Sequence, residues 1–459
     1  MKTGTIIKAV VIAGAISIFD FIAHGATITQ VIVRQQWPWS TDVKVEYQLE
    51  GVDASHPVDI AVTAYNGDTP LPTANLASSI KGDLYGITEE FGEFYIDPVA
   101  AFGSERIAMT KFKVKLAVSD SPANINEVLY KVFDIATGAC EKNITRAELL
   151  NGKYGAVETD FSKIGTGFNT TLDDVIIWTG VTNYPGAKTT KLVMRKIPVG
   201  GKQCVIGSAT TSETGYTAAQ EMYPQATITM PEDYWIGVFE MTVGQCLGVM
   251  SWRSKVTFTN ETCYNERPMQ RLTYTNIRAS ESDVGTGNFL SAWMERTGLS
   301  GWNLPTTNEW EVACRAGTTT GLNSGKNLTS TGVAGANENA LARYAYDGGG
   351  DCGVTVSFPR DAFHINNFED KNVGAEGGPA PVGSYAPNAY GLYDMHGNIL
   401  ERMLNTAYNS AGTAITLNWV RGGSFSQTNS RLRSSCSRTI SMSDEYVNYG
   451  FRLVLKVAE

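Results

Sequence analysis

The sequence predicts an all-β, sandwich-like region followed by an α+β region, and three observations carry that division. Residues 26–120 alternate apolar and polar side chains with the period of half-buried strands. Between Thr242 and Gly317 the pattern changes to helical faces that open on capping residues. Beyond Gly317 the chain is rich in Gly, Asn, Ser and Thr, the composition of long loops joining short strands.

The elements follow in order. Lys2 and Lys8 flank the start, residues 9–19 are almost wholly apolar, and Ala23, Gly25 and Ala26 are small. This is the layout of a secretory signal peptide over residues 1–25. The run is short for a membrane span, and nothing after it approaches about 18 uninterrupted apolar residues. The expectation is an exported chain, periplasmic, cell-surface or extracellular, with no transmembrane segment once the leader is removed. Residues 26–120 then form the sandwich-like domain, with strands expected at 28–34, 43–49 and 109–118 and an immunoglobulin-like arrangement among the options. His56 lies in a polar turn and is read as solvated. Residues 121–188 read as a connector with some strand, at 128–133, and with a loop at 165–171. The last domain spans residues 189–457 and opens on the stretch at 190–200. Thr242 and Gln245 have the spacing of a capping box, so a helix is expected through Met250. Phe289, Leu290, Trp293 and Met294 share one helical face that Gly298 ends. Thr306 and Glu309 form a second capping box, burying Trp310 and Ala313, with Gly317 as the stop.

Composition excludes whole classes of function. Hydrophobic residues make up 42% and charged residues 18% of 459, which is neither a disordered acidic chain nor a polytopic membrane protein. A formal net charge of −9 argues against electrostatic binding to nucleic acid. The seven cysteines, Cys140, Cys204, Cys246, Cys263, Cys314, Cys352 and Cys436, contain no CxxC, so zinc-ribbon spacing is absent. Export permits disulfides; the odd number leaves at least one thiol over, and spacing does not fix the pairs. The only histidines are His24, His56, His364 and His396.

An ordered set of motifs adds a resemblance. It comprises Tyr234-Trp-Ile-Gly-Val-Phe-Glu-Met-Thr242, Arg267-Pro-Met, Leu304-Pro-Thr-Thr-Asn-Glu-Trp-Glu, Pro381-Val-Gly-Ser, Asn388-Ala-Tyr-Gly-Leu-Tyr-Asp-Met-His-Gly-Asn398, Arg421-Gly-Gly-Ser-Phe425 and Gly450-Phe-Arg452. Together they resemble the sulfatase-modifying-factor family, whose founding activity is formylglycine generation, over about residues 190–456. The resemblance implies a C-type-lectin-like α+β fold for this domain, with most of the motifs serving as architecture.

What the resemblance implies about chemistry is then tested on this chain's own residues. Formylglycine generation in the family uses two copper-binding cysteines five positions apart, since soft thiolates suit copper(I). The matching positions here are Gln427 and Leu432, and Cys436 is the only cysteine after Gly423. Copper is therefore not expected. A second branch of the family holds iron with three histidines, and only His364 and His396 lie in the domain. A turn that binds structural calcium in the family maps onto Asp394, Gly397, Ile399 and Glu401, carboxylates and backbone carbonyls that suit Ca²⁺. The alternative for Glu401 is a salt bridge to Arg402 or another arginine. His396 in the same turn reads as a structural hydrogen bonder.

The function expected on these grounds is non-catalytic binding of a protein or small surface ligand by an exported pseudoenzyme. The expected surface is Ser426, Gln427, Asn429, Arg431, Arg433 and Tyr446, polar and adaptable side chains in a segment that reads as loop. Similar domains serve as variable receptors in diversity-generating retroelement systems. One alternative is an oxidoreductase of the formylglycine-generating type with a rearranged site. Another is an envelope structural or assembly component.

Overall fold

The computed structural model describes residues 16–21, 25–36, 38–103, 111–159, 176–216, 224–251, 263–331, 335–345, 378–408 and 414–456. The loop expected at 165–171, Cys352 and His364 lie outside the described residues. The chain divides into two units, residues 1–127 with 145–153, and residues 128–144 with 154–459.

The first unit contains two four-stranded sheets. One orders its strands Thr27–Gln35, Val43–Glu50, Phe91–Ile96 and Ile80–Gly82. The other orders Ile16–Phe21, Phe112–Asp120, Val58–Asn66 and Thr69–Pro70. Alternation in the sequence explains the burial. Val43, Val45, Tyr47 and Leu49 point inward from one sheet, and Phe112, Val114, Leu116 and Val118 from the other, into a single core cluster. Full burial of each such aliphatic chain contributes about 1.5–3 kcal/mol. Strands form at all three expected places. The segment Ile16–Phe21, inside the stretch that reads as a leader, pairs in parallel with Phe112–Asp120, Ile16 opposite Lys113 and Phe21 opposite Val118.

The second unit centres on a six-stranded sheet ordered Cys140–Thr145, Val128–Asp134, Lys191–Ile197, Tyr234–Gly237, Val454–Leu455 and Trp302–Asn303. The strand expected at 128–133 forms as Val128–Asp134, and it lies inside this sheet, antiparallel to Lys191–Ile197. Its apolar residues Leu129, Tyr130, Val132 and Phe133 are all buried, which a connector would not achieve. A second sheet orders Ser437–Ser441, Ala414–Arg421, Leu400–Tyr408 and Tyr449–Gly450. Helices and strands share this unit, an α+β architecture.

Helix boundaries follow local chemistry. Thr242 caps Val243–Met250 through a reciprocal capping box with Gln245. Thr306 and Glu309 do the same for Thr307–Arg315, whose buried face includes Trp310 and Ala313. This helix ends one residue earlier than expected: Ala316 (φ 45°), not Gly317, takes the left-handed capping position. Phe289–Thr297 ends on Gly298 (φ 69°) as expected. Its N-cap is Asn288, paired with Ser291, a box in which Asn and Ser stand in for the usual Thr and Glu.

Candidate functional site

The turn from Asn388 to Asn398 and the strand that follows it place the most unusual group of side chains in the molecule. Asp394 (φ 58°) and Asn398 (φ 59°) both adopt the left-handed region, which Asp and Asn tolerate because their short side chains hydrogen-bond locally. Gly397 (φ 80°) lies where a Cβ would sit 2.2 Å from the Arg343 carbonyl oxygen, so no other residue fits. Asn398 Oδ1 accepts from Ala380 N at 2.9 Å, and its Nδ2 donates to Glu240 Oε2 at 2.6 Å. Glu240 Oε1 accepts from Ile399 N at 3.0 Å. The turn is therefore anchored from inside by a carboxylate that has no exposed surface.

Next to it lies a buried ion pair. Glu401, from the strand Leu400–Tyr408, accepts from Arg452 Nη2 at 2.8 Å and Nε at 3.1 Å, and from Trp310 Nε1 at 2.8 Å. The remaining guanidinium protons of Arg452 go to the carbonyls of Gly237, Val238 and Tyr393, each at 2.9 Å. All five donors of the fork are used. Both members are fully buried, and the charge is compensated at both ends. Burial raises Glu240 well above the usual carboxylate range, and the negative charges of Asp394 and Glu401 push the same way. Burial likewise raises Asp394 to about 6 against the Gly383 N–H, which favours its ionised form.

This geometry answers the calcium expectation. Such a cation needs about six to eight oxygen ligands. Glu401 has both oxygens turned to Arg452 and Trp310, and one carboxylate oxygen of the expected set, Asp394 Oδ1, has no hydrogen bond. Glu401 is thus turned to Arg452, which supplies the positive charge that meets it, and not to a metal cation. Arg402 is not the partner of Glu401, for its guanidinium donates to Leu272 O at 3.1 Å and to Asn418 Oδ1.

A second buried network surrounds His396. Asn323 N donates to His396 Nε2 at 3.0 Å, so the ring proton sits on Nδ1, which donates to Leu432 O at 2.5 Å. Burial lowers the ring to about 4; the Leu432 carbonyl opposes that shift and the charge of Arg315 adds to it. Cys314 Sγ lies 3.9 Å from Nε2, and burial pushes this thiol up to about 12. Glu311 lies between Arg315 at 2.8 Å and Arg421 at 3.0 Å.

Half of the expected binding surface is inside. Gln427, Asn429 and Arg433 are buried, because the segment folds back onto the domain as structure. Asn429 Nδ2 donates to Glu338 Oε1 at 2.6 Å, and Arg433 Nη2 to Glu213 Oε2 at 2.6 Å. Ser426, Arg431 and Tyr446 keep accessible surface, with Tyr446 36% exposed and set edge-on to Tyr449. At the positions matched to the family's cysteines, Leu432 packs in an apolar cluster with Leu322, Leu341 and Tyr344. Sequence reasoning missed Glu240 and Glu311 altogether. The signal for Glu240 was a single acid in the apolar run 234–241. Cys263 is disulfide-bonded, while Cys140, Cys204, Cys246 and Cys314 are free thiols.

The family model described as a sulfatase-modifying factor enzyme 1-like domain matches residues 190–457. The chaperone protein LppX of Paenibacillus barcinonensis is 26% identical over 209 residues, 40% of this chain and 66% of that protein, so the chain spans just under two thirds of that relative. Among solved structures, PvdO from Pseudomonas aeruginosa is 19% identical, with a TM-score of 0.40 over 58% of this chain and 94% of that one. Treponema denticola variable protein 1 is 17% identical, with a TM-score of 0.41 over 58% and 96%. More than half of the chain is covered by the family model, and the protein belongs to the sulfatase-modifying factor enzyme 1-like domain family.

Proposed function

We propose that this is an exported, non-catalytic recognition protein that uses a C-type-lectin-like second unit to bind another protein. The observation that carries this reading is the filling of the family's copper position. Leu432 has no exposed surface and packs among Leu322, Leu328, Leu341, Ala342 and Tyr344. Copper(I) chemistry needs thiolates, and the buried Cys314 in this region keeps its proton, its pKa pushed up to about 12. The name of the LppX relative supports the same class of role, since a chaperone acts by binding protein. The contact face is the rim that keeps accessible polar surface, Ser426, Arg431 and Tyr446. Arg and Tyr are the side chains that carry binding energy at such surfaces.

Copper(I) loading followed by incubation with a sulfatase-type cysteine peptide tests the catalytic question. The peptide is expected to keep its cysteine; conversion to an aldehyde overturns the reading. Fractionation with N-terminal sequencing tests export, with Ala26 or Thr27 expected as the first residue of the mature protein. A crosslinker placed at Tyr446 is expected to trap one discrete partner, and Arg431→Glu to abolish the adduct.

A further inference from the structure

A cavity of about 330 Å³ opens on the second unit at a place that shares no residue with the Ser426, Arg431 and Tyr446 rim. Its walls are apolar, chiefly Val199, Val205 and Val312, and three groups give it chemistry: Tyr390, Cys204 and Lys202. The volume lies at the small end of the range for ligand sites, about 300–1,000 Å³. Such pockets bind by apolar walls plus a few placed polar groups, and this one has that composition.

The polar groups are unspent. Tyr390 is 4% exposed and lines the cavity; its hydroxyl makes no hydrogen bond among the described residues and is not among the buried polar atoms cut off from solvent, so it is open to a ligand. Lys202, exposed at the cavity, takes part in no ion pair among the described residues. The other cation at the wall, Arg315, is already committed to Glu311, Thr320 O and Gly207 O. Asp233, whose charge reaches Tyr390, is held by Lys196 at 3.3 Å and Gly200 N at 2.7 Å. What remains on the lining is the neutral Tyr390 phenol and the Lys202 positive charge, beside the Gln203 amide and the apolar side chains of Val199, Val205 and Val312.

We infer that this cavity binds a small amphipathic carboxylate of the hydroxybenzoate class, its carboxylate at Lys202 and a second oxygen accepting from Tyr390. The ring would replace water against the valines, and no covalent step is involved. Cys204, partly buried in the wall, reports occupancy, since a ligand in the cavity screens its thiol.

The experiment follows alkylation of Cys204 by iodoacetamide in the full chain, with the exposed Cys140 as internal reference. 4-Hydroxybenzoate is expected to slow alkylation of Cys204 saturably and leave Cys140 unchanged. Tyramine, the cationic counterpart, is expected to give no protection. Tyr390→Phe keeps the ring and is expected to weaken protection about fivefold, the worth of one neutral hydrogen bond. Lys202→Met, at an exposed position that folding does not depend on, is expected to erase the preference for the carboxylate. No protection at millimolar 4-hydroxybenzoate overturns the assignment. So does equal protection by tyramine, or undiminished protection in both variants. Because the rim residues are untouched, partner crosslinking at Tyr446 stays intact whichever way the cavity result falls.

Discussion

The two units of this molecule use charge in opposite ways. In the first, the core cluster is apolar and most charges meet at the surface, as in Lys44 with Glu46 and Glu93, or Lys113 with Asp68; Arg146, buried beside Glu127, is the exception. In the second, charged groups are structural members of the interior: Arg452 with Glu401, Glu311 between Arg315 and Arg421, Arg433 with Glu213. The difference follows from backbone content. Regular sheets satisfy their own N–H and C=O groups, so a sandwich needs no help from side chains. Long turns leave carbonyls such as those of Gly237, Val238 and Tyr393 pointing inward, and a guanidinium fork can meet several at once. A loop-rich interior is possible because arginine fills the role a ladder plays elsewhere.

That contrast can be broken by substitution, and the largest effect should come at its centre. Arg452→Met strands Glu401 in a dry interior and is expected to cost about 3–5 kcal/mol. In calorimetry the transition of the second unit should fall steeply while that of the first keeps its position; equal shifts in both would refute the contrast. His396 should come next. Its ring is held neutral at a pKa of about 4, against 6.5 unfolded, so the unfolded chain binds a proton over that interval and the folded chain does not. Stability is complete above pH 6.5 and declines as the pH falls. The interval, at 1.36 kcal/mol per pH unit, makes about 3 kcal/mol between pH 7 and pH 4. Denaturant titrations should show the wild type losing that much more than His396→Asn over the same range. A smaller effect belongs to Thr242→Ala, which removes a reciprocal cap at the start of Val243–Met250 and should cost about 1 kcal/mol by urea denaturation. The least belongs to Lys44→Met in the first unit. Its ion pairs face solvent, and the unfolding midpoint should not move measurably at physiological salt.

The same contrast explains what could be read in advance. Strands at 28–34 and 43–49 declare themselves because their burial is decided by each residue's own alternation. The capping boxes of Thr242 and Thr306 are legible for the same reason, as all participants lie within four residues. The pairing of Val128–Asp134 with Lys191–Ile197 joins segments more than fifty residues apart, and nothing local announces it. The site was half legible. Asp394 and Glu401 stood out as acids in a tight turn, but a carboxylate looks the same in sequence whether it faces a metal or a guanidinium. Its partner, 51 residues on, decides the matter. Half of the expected surface turned out buried because polar composition resembles loop chemistry even where, as with Asn429 and Arg433, polar groups are met by buried partners.

Arg452 also sets an order of events during synthesis. The first unit has all its residues once position 153 is made. The second cannot close then, nor at any point before position 452 is made, because the fork that gathers Gly237, Val238, Tyr393 and Glu401 has yet to be translated. The strand Val454–Leu455 enters the six-stranded sheet later still, as its fifth strand between Tyr234–Gly237 and Trp302–Asn303. A ribosome paused or stopped shortly before position 452 would therefore release a molecule with one finished half and one open half, its buried acids still in water. Completion of this domain waits on residues 452–455.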